Sequence, residues 1–216
     1  MPTELIYSTT GGDGYAGKSS STYAGARDAT TGSFANSTLS ANAYAIRSTL
    51  TTARGTSTYT ITRSFFYFNT SSITTAPDSG VLKVYGRTFV NSDVACVKSN
   101  HGFSISTADF DAILGWQAGV NNQSNVTHYA NILTSWSNSG FNSFTLNSDA
   151  LVDIRSNNTF QVCLLDFPYD LRNAVPSSSS NYSGVYFADI ANTTYWPHLN
   201  LTMPEEGGGL FFGTNF

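Results

Sequence analysis

Charge is what this sequence has least of. Asp, Glu, Lys and Arg make up 11% of its 216 residues, against about 25% in an average globular protein. Solubility therefore falls to hydroxyl and amide side chains, a balance found in extracellular, virion and adhesin-type β proteins and rare in cytosolic enzymes. Weak charge also removes the repulsion that keeps surfaces apart, which suits a protein that sits against copies of itself or other partners. The 10 basic residues are scattered, the net charge is −4, and no Lys/Arg cluster exists. Nucleic acid and anionic membrane are therefore not expected as partners. The opening MPTELIYSTTGG has neither a basic n-region nor a long apolar h-region. The expectation is synthesis in a host cytoplasm without a cleaved signal peptide. No apolar run approaches transmembrane length.

Cysteine is nearly absent as well: Cys96 in DVACVKS and Cys163 in FQVCLLDF, both inside apolar runs. They share no metal-ligand spacing. A disulfide between neighbouring strands and a pair of buried thiols acting as small hydrophobes are both open readings. Catalytic signatures are missing too. There is no HExxH, CxxC, G-x-S-x-G, Walker A or G-x-G-x-x-G pattern. GGDGYAG is glycine-rich, but no suitable strand precedes it and no helix follows, so it reads as a turn. His101, His128 and His198 stand in a turn, a polar stretch and a solvent-facing strand phase, and are expected at the surface. Asp109 and Asp111 start a helix, where capping explains them. Asp166 and Asp170 flank FPY with no reason in the sequence to pair them. An enzyme is not expected.

What the chain does have is 40% apolar content and 14% aromatic residues, arranged in short runs between turn residues. Residues 1 to about 38 are Gly/Ser/Thr-rich, with turns around short extended pieces. NAYAIRSTL puts Tyr44, Ile46 and Leu50 on one face. TYTITRSFFYFNT begins as an alternating strand, then Phe65, Phe66, Tyr67 and Phe68 load both faces, as in a strand covered on both sides. GVLKVYG sets Leu82 and Val84 opposite Lys83 and Tyr85, and WPHLNLTM sets Leu199, Leu201 and Met203 opposite His198, Asn200 and Thr202. DVACVKS, NSFTLN, TFQVCLLDF and GVYFADI add further strands. Helical signals are confined to STADFDAILGW, capped by Ser106 or Thr107, and NSDALVDIRS, capped by Ser148 or Asn147. The expected fold is an all-β antiparallel sandwich of jelly-roll type, with two short helices in its connections.

RSFFYFNTSSI followed by GVLKVYG resembles the "R-x-hydrophobic-x-F-D-x-S-x-I … A-x-L-x-L-x-G" core of jelly-roll domains. These occur in bacterial surface proteins of the DNRLRE type and in tailed-phage virion proteins. WPHLNLTM resembles the closing "P-x-L-x-V-x-Y" strand of the same domains, so the likeness spans roughly residues 40 to 203. Asn69 stands where that family usually has Asp; both side chains bond backbone amides two residues on. The resemblance implies a jelly roll in a virion or on a surface, either structural or glycan-binding. Jelly-roll binding modules often hold a structural Ca²⁺ through carboxylates and carbonyls. Asp13 and Asp189 are the candidate pair here, with turn formation and strand-end capping as the other reading. No other cofactor is expected. Among the aromatics, Tyr182 and Trp196 are candidates for stacking on a sugar ring, while Trp116 and Trp136 sit in contexts typical of core.

The composition changes at Pro204 to Gly209. A body of residues 1–203 is followed by an arm, 204–216, that ends GGGLFFGTNF. Three glycines raise the cost of ordering the arm and let it reach outward. Leu210, Phe211, Phe212 and Phe216 would each contribute roughly 1.5–3 kcal/mol if buried. Docking on another subunit and folding back on the body are both open, and the former is the expectation. The partners expected are therefore other virion proteins, including copies of the chain itself, with a surface glycan as the alternative.

Overall fold

The computed structural model describes residues 1–90 and 92–205. The apolar anchor expected at Leu210, Phe211, Phe212 and Phe216 lies outside the described residues. The fold is the all-β antiparallel sandwich. Its strands are β1 (Thr3–Tyr7), β2 (Gly14–Ser20), β3 (Phe34–Asn36), β4 (Ala41–Ala53), β5 (Thr56–Asn69), β6 (Ser79–Val90), β7 (Val94–Lys98), β8 (Phe141–Thr145), β9 (Thr159–Asp166), β10 (Tyr182–Tyr186) and β11 (His198–Thr202). One layer is β1-β11-β6-β8. The larger layer runs β10-β4-β5-β2-β3, with β9 and β7 continuing alongside β5.

β6 belongs to both layers. Its first half pairs with β11 and β8, and from Gly86 onward it pairs with β10. A side chain at Gly86 would collide with the Ser137 carbonyl oxygen, so only glycine lets the strand change layers at that point. β5 is divided in a similar way. β4 holds Thr56–Thr62 and β9 holds Ser64–Asn69 along one edge, while β2 pairs with Tyr59–Phe65 on the other.

The alternation read from the strands is observed. Leu82, Val84, Leu199 and Leu201 point inward and meet Phe66, Phe68, Val162, Leu164 and Val185 between the layers. Phe65 points the opposite way, into a second core with Ile61, Val97, Cys163 and Leu165. The central strands are thus covered on both faces. The outer cover consists of connections: helix α1 (Tyr23–Arg27), a 3₁₀ turn at Thr107–Asp111 and a π turn at Phe167–Leu171. Helix α2 (Ser148–Ser156) is capped by Asn147 as expected. The other expected helix closes after one 3₁₀ turn, held by a reciprocal Ser106–Asp109 capping box. α1 went unread, because YAGAR is too short to show a period. In β4, Tyr44 is exposed while Ala45 and Ile46 are both buried. The register against β10 shifts there, breaking the phase that would have put Tyr44 beside Ile46.

Register also settles the cysteines. Cys96 lies opposite Leu164 and Cys163 opposite Val97, so the two thiols face opposite sides of the sheet. Both are free and buried, and burial pushes both thiols well above their ordinary pKa.

The outer cover is fastened by a buried ion pair. Arg63 on β5 bonds both carboxylate oxygens of Asp170, at 2.8 Å each. It also donates to the carbonyls of Phe110 (2.7 Å) and Arg27 (3.1 Å). Its guanidinium lies 4.0 Å from the Trp116 ring centroid and 4.3 Å from that of Phe110. Arg27, equally buried, donates to the Asp170 and Val120 carbonyls and pairs with Asp28. Replacing Asp170 by Ala strands a fully buried charge and is expected to cost about 3–5 kcal/mol. Urea unfolding measures this, and the double variant Arg63→Met/Asp170→Leu should recover only part of the loss, because it removes the stranded charge but leaves the Phe110 and Arg27 carbonyls without their donor.

Candidate functional site

Nothing among the described residues covers the outer face of the smaller layer, and alternation decides what that face carries. Inward residues of β1, β11, β6 and β8 fill the core, so the opposite phase presents Tyr7, His198, Lys83, Tyr85, Phe141 and Ser143. The turn before β11 adds Tyr195 and Trp196, and the end of β10 adds Tyr186. Seven rings form a continuous chain. Centroid separations are 6.2 Å for Trp196–Tyr7, 5.4 Å for Tyr7–His198 and 5.0 Å for His198–Phe141. They continue at 5.1 Å for Phe141–Tyr85, 4.3 Å for Tyr85–Tyr195 and 5.1 Å for Tyr195–Tyr186.

The band is partly accessible: Tyr7 is 44% exposed and Phe141 37%, with Leu5 alongside at 50%, while the other five rings are half-buried. Its rings are also fixed in place. Trp196 donates its indole N–H to the Ile190 carbonyl at 2.8 Å, and Tyr85 its hydroxyl to Ser139 at 2.6 Å. His198 Nδ1 lies 3.0 Å from the Trp196 carbonyl. The outward positions carry Lys83 and His198 but no acid, and Arg87 lies 6.0 Å from the Tyr186 ring at one end. A rigid, partly exposed aromatic patch of this size is the normal mark of an interaction surface.

Of the two expected sugar-stacking residues, Trp196 lies in this band. Tyr182 does not. It packs edge-on against Tyr44 at 4.6 Å in a separate small cluster, with Arg47 5.1 Å from the Tyr44 ring. Tyr7, Tyr85, Phe141, Tyr186 and Tyr195 were not singled out from the sequence. The signal was available in part: Tyr7, Tyr85 and Phe141 are large apolar rings at the outward phase of strands whose inward phase was already filled. Trp136 is core, and Trp116 packs against the second core.

The structure does bring Asp13 and Asp189 to one corner. Asp13 Oδ2 accepts from the Ala188 N–H at 2.8 Å, and Asp189 Oδ2 accepts from the Gly11 N–H at 3.5 Å. Asp13 Oδ1 is buried without a hydrogen-bond partner, which leaves one acceptor free for a cation. Calcium asks for six to eight oxygens, and among the described residues no three His, Cys, Asp or Glu side chains converge. The corner thus offers two carboxylates and no third acidic side chain among the described residues. Its observed work is capping: each acid ties one end of the sandwich to the other. Asn69 caps its turn as expected, accepting from Ser71 N at 3.1 Å.

One histidine expectation is corrected. His101 is buried, only 1% exposed, because its ring packs on Phe65 at 5.1 Å and its Nδ1 meets Ser99 Oγ at 2.8 Å. His128 is half-buried, which lowers its pKa, and His198 sits on the outer face. No protein-family model and no curated protein matches the chain.

Burial leaves a pH signature. Desolvation raises Asp13 to about 7, and the same cause raises Asp166, which accepts from Ser92, Asn181 and Tyr169, to about 7. For both, the folded state holds its proton more tightly than the unfolded chain does. Their contribution is therefore complete below the unfolded carboxyl pKa and is lost as pH rises through about 7. His101 has the opposite sign: burial lowers it to about 4, and its contribution is lost as pH falls toward that value. The two carboxyls, each raised to about 7, outweigh the depressed imidazoles of His101 and His128, so Tm should fall between about pH 5 and about pH 8. Asp13→Asn should remove most of that fall in a thermal unfolding series, because the Asp166 and imidazole contributions that remain oppose each other.

Proposed function

We propose that this chain is a non-enzymatic structural protein of a tailed-phage virion, a capsid decoration or cement subunit that seats on neighbouring virion proteins through its aromatic face. The observation that carries this reading is the band from Trp196 to Tyr186. It is partly exposed, preorganised by hydrogen bonds and made of Tyr, Trp, Phe and His on a chain with very little charge. Residues of these types dominate binding energy at protein interfaces because they bury much area and lose little side-chain entropy. The sandwich supports the reading by presenting the band on a two-layer body with few charges. The resemblance of RSFFYFNTSSI, GVLKVYG and WPHLNLTM to virion jelly rolls supplies the setting. In this reading the arm, 204–216, is a second anchor through Leu210, Phe211, Phe212 and Phe216, and copies of the chain are among the neighbours.

A second reading is favoured by one feature. Trp196 and Tyr7 lie next to Asn200 and Lys83 on the same face, so ring faces adjoin hydrogen-bonding groups, as a glycan-binding module requires.

Trp196→Ala and Tyr7→Ala should each weaken binding to particles lacking the protein by about 2 kcal/mol, measured as occupancy against added protein. Their Tm values should stay close to the parent, because both rings lie outside the cores. Deleting 206–216 should lower occupancy independently. Undiminished occupancy with all three variants would overturn the structural reading, and hits on a glycan array lost with Trp196→Ala would establish the second.

A further inference from the structure

We propose that a separate cleft, between the end of β7, α2 and the start of β9, binds a single neutral sugar residue. The cleft measures about 300 Å³ and shares no residue with the aromatic face. That is the small end of the range for ligand sites, room for one pyranose ring and not for a chain. Beneath it lies the stacked pair Tyr129 and Phe160, 4.9 Å apart and 28° from parallel, core rings that are each only 1% exposed and hold the base of the cleft rigid. Its walls are almost wholly hydrogen-bonding groups: Lys98, Asn100, Asp153, Asn157, Thr159 and Gln161.

The charges in the cleft cancel. Lys98 Nζ lies 2.7 Å from Asp153 Oδ2, and Tyr129 donates its hydroxyl to the same oxygen at 2.5 Å. Asn157 Nδ2 reaches Asp153 Oδ1 at 3.2 Å. Burial alone would raise Asp153, but the bonds from Lys98 and Tyr129 outweigh it and hold the carboxyl below its ordinary pKa. The acid is therefore ionised, and the ammonium beside it is matched. An anion entering the cleft would meet that carboxylate, and a metal would have to displace the ammonium from the cleft's one acid. Neither is favoured over a neutral ligand.

Hydroxyl groups suit the remaining valences. Lys98 holds three donors, of which Asp153 takes one. Asn157 Oδ1 is an open acceptor, and Asn100 makes no side-chain hydrogen bond among the described residues. Gln161 is held only by long contacts, accepting from Gly102 N at 3.3 Å and donating to Thr159 Oγ1 at 3.4 Å. Contacts of that length exchange readily for better ones. Donors and acceptors are thus both open above a rigid base, a combination that vicinal hydroxyls can match.

The test is saturation-transfer NMR on the full chain with glucose, galactose, mannose, fucose and N-acetylglucosamine, and with inorganic sulfate as a charged competitor. At least one sugar should bind in the millimolar range and resist competition by sulfate. The double variant Asn100→Ala/Gln161→Ala removes two rim groups, of which only Gln161 is bonded, by the long contacts to Gly102 and Thr159. It should keep the parental Tm and weaken that sugar roughly tenfold. Trp196→Ala should leave the affinity unchanged, which separates this site from the aromatic face. Methyl glycosides then tell the source: binding retained with the anomeric oxygen blocked points to a glycan end, and binding lost points to a free reducing sugar. No transfer for any sugar, full affinity in the rim variant, displacement by sulfate, or loss with Trp196→Ala would each overturn the proposal.

Discussion

The rest of this structure depends on covering one sheet on both sides, and the buried Arg63–Asp170 pair is the fastening that makes the second cover possible. A sandwich layer needs only its inner face filled. Here β5 and β9 also present Phe65, Ile61, Cys163 and Leu165 outward. Short connections, not regular elements, must cover them. Such segments bring backbone carbonyls into an apolar place, where unmet acceptors are costly. Arg63 and Arg27 answer that demand by donating to the Phe110, Arg27, Asp170 and Val120 carbonyls while Asp170 neutralises the charge. A pair of hydrocarbon side chains could fill the space, but it could not bond four segments of chain into one lid.

The smaller layer is the other way, with no described residues over its outer face. Because the opposite side chains of β1, β11, β6 and β8 are committed to the core, any aromatic residue at the outward phase must face solvent. The sequence places Tyr7, His198, Tyr85 and Phe141 there, in register across four strands. The turn before β11 then adds Trp196 and Tyr195. A patch assembled by register in this way is rigid before any partner arrives, so little entropy is lost when one binds.

Much of the fold was legible because β alternation is local. Leu82, Val84, Leu199 and Leu201 could be assigned to the core from their own strands, and the double loading of Phe65 and Phe66 pointed to two covers. Phase failed only where a register shift intervened, at Tyr44. The candidate site was far less legible. Trp196 stood out as a residue type, yet its neighbours Tyr7 and Tyr85 lie far apart in the chain. Nothing in a single strand says that β1 and β6 flank β11. Tyr182 illustrates the same limit from the other side, since a residue in a Ser-rich loop was equally eligible until pairing placed it beside Tyr44.

The sequence by itself determined the all-β class, the inward faces of the strands, a helix cap at Asn147 or Ser148, the Asn69 cap and the low-charge surface, because each depends on residues within a few positions of one another. Strand order and register across long separations were decided only by the tertiary structure. They put Cys96 and Cys163 on opposite faces of one sheet, turned Asp170 into the partner of Arg63, drew Asp13 to Ala188, and gathered seven rings onto one surface. Those outcomes follow from packing two layers and closing a cover over them, and packing energy is shared among residues that no local pattern connects.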